Sequence, residues 1–88
     1  SPDNPGTAYA LGWYSGCLAS LKRFDEAEAA LLEAHSLIEK IQGPQSPVAS
    51  QMKQQLEMLY TAWDKAEPGK GHDAKAAEWK AKRDRGSG

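Results

Sequence analysis

The 88 residues fit one small domain, a size at which a single core is only marginally stable alone. With 40% apolar and 26% charged residues the chain reads as globular, and a net charge of -1 gives no overall drive toward nucleic acid or an anionic membrane. No apolar run approaches the roughly 18 residues of a membrane span, no signal-peptide pattern is present, and the lone Cys17 excludes an internal disulfide and points to a reducing, cytoplasmic setting.

Four helices are expected, in an all-α fold with no alternating strand pattern. After Pro5, the segment from Thr7 carries Leu11, Tyr14, Leu18 and Leu21 at spacings of three and four, which predicts one apolar helix face. "KRF" interrupts it. A second helix follows, with Asp25 and Glu28 placed for a capping box. Its stripe is Ala27, Leu31, Ala34, Ile38 and Ile41, and Gly43 supplies a left-handed cap. The third begins with Ser46 as N-cap and Pro47 at the first helical position. Val48, Met52, Leu56, Leu59, Tyr60 and Trp63 make its apolar face. "EPGKGH" reads as a loop, and Asp73 is placed to cap a last helix, "AKAAEWKAKR", basic toward its end.

The prolines reveal a period. "SPDNP" at Ser1 and "GPQSP" at Gly43 start 42 residues apart, and Asn4-Pro5 and Ser46-Pro47 are the same N-cap-then-proline device. The offset pairs Tyr14 with Leu56 and Leu18 with Tyr60. An insertion of about seven residues after Asp64 then brings Ala27 opposite Ala76. Each unit is two antiparallel helices: about residues 7–43 and 46–84, with 85–88 a flexible tail.

The run "LGWYSGCLASLKRFDEAEAALLEA" resembles a tetratricopeptide repeat. Leu11 stands at the family's Trp place, Tyr14 at its Leu, Ser15 at the small Gly, Leu18 at Tyr, Ala27 at the small crossing site and Leu31 at Phe. The 42-residue period is similar to the longer repeats of the kinesin light chain type. The second unit departs from the pattern at Lys53, Glu57 and Lys80, as the polar terminal repeat of an array does. The resemblance implies an α-solenoid and a protein-interaction scaffold from a larger, multidomain bacterial signalling protein, with no catalysis and no cofactor. The chain has no initiator Met and opens in what reads as a loop, so it is expected to be a segment of that protein.

In this family the first helix of each pair lines a concave groove, which places Tyr9, Trp13, Gln51, Gln54, Gln55 and Met58 as partner-contacting residues. Tyr9 and Trp13 have a second reading, as packing surface for a neighbouring repeat, and a homodimer through the first helix follows from it. A purely structural array cap is the alternative function. Cys17 with His35 as nucleophile and base is disfavoured: Cys17 reads as a packing cysteine and His35 as a surface or half-buried histidine, with nothing to orient it. His72-Asp73 in a loop gives thin support for a metal, and no Lys and Asn set fits a groove that would clamp a peptide carboxylate. The stretch 65–85 carries seven basic and four acidic residues, the weaker basis for a nucleic-acid contact; a solvated helix face is preferred, and no nucleic acid or membrane partner is expected. The loop Glu67–His72 is expected to be mobile and without function.

Overall fold

Both helix pairs start as the proline motifs predict. The computed structural model describes residues 4–87 and contains α1 (Pro5–Ser20), α2 (Phe24–Gln42), α3 (Pro47–Ala66) and α4 (His72–Ser87). The Asn4 Oδ1 accepts from the Gly6 N–H at 2.7 Å, and the Ser46 Oγ accepts from the Ala49 N–H at 3.0 Å. Pro5 and Pro47 follow in the first turn, where their missing N–H leaves no intrahelical bond unmade. Pro2, the first proline of the recurring pentapeptide, lies outside the described residues.

The protein is all-α. Consecutive helices run antiparallel, giving two layers, α1 with α3 and α2 with α4, in a slab of 37 × 30 × 14 Å. One apolar cluster joins all four helices through Leu18, Phe24, Ala27, Leu31, Leu56, Leu59, Tyr60 and Ala76. A second joins only the first three, through Ala8, Ala34, Ile38, Ala49 and Met52. Ala27 and Ala76, equated by the repeat register, are both buried at the crossing of their helix pairs. Ser15 and Glu57, also equivalent, link each pair differently. The Ser15 Oγ–H donates to the Ala27 carbonyl at 2.9 Å, whereas the Glu57 carboxylate accepts from Arg83 at 2.5 Å.

The face of α1 differs from the expected stripe. Its buried residues are Ala8, Gly12, Ser15 and Leu18, while Tyr14 and Leu21 are exposed. Small side chains win because they let α2 come close, near enough for the Ser15 hydroxyl to reach the Ala27 carbonyl. Cys17, expected to pack, is exposed. His35, expected at or near the surface, is buried.

The capping box at Asp25 and Glu28 does not form. Lys22 takes φ 62°, the Arg23 N–H bonds back to the Leu18 carbonyl at 2.9 Å, and α2 begins at Phe24 behind this tight turn. Asp25 accepts from the Glu26 N–H instead. Glu28 is turned toward the second unit, where it accepts from the Tyr60 hydroxyl at 2.6 Å and pairs with Lys75 at 3.6 Å. Burial and this carboxylate push the Tyr60 phenol well above its ordinary value. At the other end of α2, Gly43 has φ 89°, a conformation that a side chain would strain.

His72 opens α4 rather than ending a loop, and its ring stacks on Trp63 with centroids 3.9 Å apart. Only residues 67–71 connect α3 to α4, all of them exposed. α4 runs to Ser87, past the expected unit boundary at 84.

Gly16 carries the first prediction. It is helical, exposed, and a Cβ built there meets nothing within 4 Å. Gly16→Ala is expected to raise stability by about 0.5–1 kcal/mol, because alanine loses less backbone freedom in a helix. Urea unfolding measures it, and a lower midpoint would mean that this position is not open.

Candidate functional site

An uncharged groove lies between α1 and α3. Its floor is Leu31 and Leu59, its α1 wall is Gly12, Ser15, Gly16 and Ala19, and its α3 wall is Gln55, Met58 and Ala62, enclosing about 260 Å³. The glycines and alanines make the groove: with larger residues on α1 the two walls would meet. Beside it, Tyr9, Trp13, Gln51 and Gln55 surround a second recess of about 340 Å³, floored by Gly12 and Met52. The Tyr9 hydroxyl accepts from the Gln42 side chain at 3.5 Å, which ties its ring to the end of α2.

Five of the six sequence-expected contact residues therefore share this face: Tyr9, Trp13, Gln51, Gln55 and Met58. Gln54 does not. It lines the cleft beside Glu57, Lys65, Lys80 and Arg83, while Met58 lies at both. The sequence reading missed the groove's walls and floor, Ala19, Ala62, Leu31 and Leu59. Its one available signal was the small residues Gly12, Gly16 and Ala19 recurring at helical spacing.

The opposite side of the slab is polar. His35, Glu39, Lys53, Lys82 and Arg85 surround a crevice together with Trp79. Lys53 is buried and its Nζ donates to the Pro44 carbonyl at 3.3 Å. The Trp79 ring meets His35 edge-on at 5.1 Å, and the Lys82 ammonium sits 4.3 Å above the same ring. Among the described residues, no group of three or more His, Cys, Asp or Glu could hold a metal ion, and no helix is long and apolar enough to cross a membrane.

His35 gives a pH dependence. Burial lowers its affinity for a proton below the ordinary 6.5, with Lys53 and Lys82 acting in the same direction and Glu39 opposing them. The folded ring thus stays neutral where the unfolded one is already charged. Stability is then complete above about pH 6.5 and falls as pH drops below it, since the unfolded chain binds the extra proton. Melting at pH 5 is expected below melting at pH 7.5, with a smaller difference in His35→Phe. An equal difference in that variant would assign the effect to other groups.

No family model, curated protein or solved structure matches the chain. The functional reading therefore rests on the geometry and on the repeat pattern.

Proposed function

We propose that this chain is a two-unit, tetratricopeptide-like binding module whose α1–α3 groove receives an uncharged, apolar segment of another protein. The observation that carries this reading is the groove itself, with apolar walls and floor, a glutamine at its rim and aromatic side chains at one end. A groove held open by two rigid helices needs little reordering on binding, so contact energy is not lost to entropy. Gln51 and Gln55 supply amide donors and acceptors for a partner's backbone, while Met58 and Trp13 supply adaptable and rigid apolar surface. The proposed setting is a cytoplasmic scaffold within a larger signalling protein, without catalysis of its own. Against a nucleic-acid role stands the pairing of Lys75 with Glu28, Lys82 with Glu78, and Arg83 with Glu57.

Peptides selected on the protein from a random display library test the proposal. They are expected to be apolar at their centre and to shift the amide resonances of Gly12, Gly16, Ala19 and Met58. Gly16→Leu fills the groove from a position with open space around it. It should bind those peptides at least about tenfold more weakly, roughly the loss of one good apolar contact, while melting no lower than the wild type, since leucine is the better helix former. Peptides that map elsewhere, or that bind this variant equally well, would overturn the reading.

A further inference from the structure

The 16 residues of α1 include no charged side chain. A surface helix normally turns a charged or polar face to water, yet the outer side of α1, which faces water, carries no charge. Trp13 is 79% exposed, Leu21 66%, Tyr14 54% and Tyr9 48%. Helical spacing puts Trp13 and Cys17 on the centre line of this outer face, with Tyr9 and Ser20 along one side and Tyr14 and Leu21 along the other.

We propose that this face is covered by a second copy of the same chain, through an antiparallel α1–α1 contact centred on Cys17. Three observations favour this occupant. The face is neutral, so two copies meet without like-charge repulsion, and nothing on it selects a charged partner. The pattern is also self-complementary. About a two-fold axis at Cys17, Trp13 of each copy lies over the small Ser20 of the other, and Tyr14 lies over Leu21. That is the isologous arrangement of a symmetric dimer. Finally, the exposed parts of the three aromatics and Leu21 amount to about 500–600 Å², close to the roughly 600 Å² per partner at the lower end of stable interfaces. The contact is therefore weak, with a dissociation constant of roughly 10–100 µM.

This inference extends beyond the groove reading and is separable from it, because Leu21 and Cys17 do not line the groove. Sedimentation equilibrium of the 88-residue chain between about 1 and 200 µM, a range bracketing that constant, is expected to show monomer and dimer. Leu21→Glu and Cys17→Glu should each weaken association at least about tenfold. Both residues are exposed, so at about 1 µM, where the wild type is monomeric, the variants should show wild-type helicity. A short bismaleimide should join wild-type copies through Cys17 at high concentration and fail to do so in Leu21→Glu. Three outcomes overturn the proposal: a wild type that stays monomeric, a dimer indifferent to both substitutions, or a dimer that does not cross-link at Cys17. A monomer that instead accepts an apolar helix of another protein on this face belongs to the first.

Discussion

Trp63→Ala is expected to cost the protein a large share of its stability. The indole lies between the Phe24 ring, 5.8 Å away and nearly parallel, and the His72 ring at 3.9 Å, with Tyr60 stacked one turn earlier at 6.2 Å. One side chain thus connects α2, α3 and α4. Trp63 is partly buried against the first cluster; truncating a packed tryptophan costs up to about 3–5 kcal/mol, against a whole stability of about 4–13 kcal/mol for a chain this size. Trp63→Phe should cost much less. The Trp63 Nε1–H is buried with no acceptor, so phenylalanine removes an unsatisfied donor along with the lost area. Urea unfolding of the two variants checks the argument. Equal losses would mean that the stacked rings are not what holds the two units together.

Ala27→Leu is expected to cost about 1–3 kcal/mol, the range for forcing extra volume into a packed site. Ala27 has no exposed surface, and its carbonyl receives the Ser15 hydroxyl at 2.9 Å. A larger side chain would push α1 away and break this bond as it does so. Ala29→Leu, on the exposed side of the same helix, is the control and should leave the unfolding midpoint nearly unchanged. Equal tolerance at both positions would show that the helices can shift to accommodate the added volume.

What the sequence made legible follows from how local each signal is. The proline-initiated starts of α1 and α3 depend on two or three adjacent residues, and both formed as expected. Ala27 and Ala76, which the repeat register sets opposite each other, are both buried in the first cluster, where close helix packing admits little but a small side chain. The capping box failed because a competing turn at Lys22 moved the start of α2, and Glu28 found a better partner in Tyr60 across the unit boundary. The face of α1 was misread for a related reason. In a helix without charges, size rather than polarity decides which side goes inward, and apolar periodicity does not register size. Gln54 fell away from the groove for want of one angular step along α3, a distinction that a family-based expectation does not resolve.

The unequal reach of the two apolar clusters sets an order of opening. Among the described residues α4 contributes Ala76 and Trp79 to the first cluster and nothing to the second, and beyond them its later turns are tied to α3 by the pairing of Arg83 with Glu57, the Lys82–Glu78 pair lying within α4 itself. Surface ion pairs hold a helix far less firmly than buried side chains do. The amide protons of residues 80–87 should accordingly exchange with deuterium well before those around Ile38 and Leu56, which have no exposed surface. α4 then peels from its C-terminal end as a separate cooperative step, leaving α1 to α3 together on the core that they share.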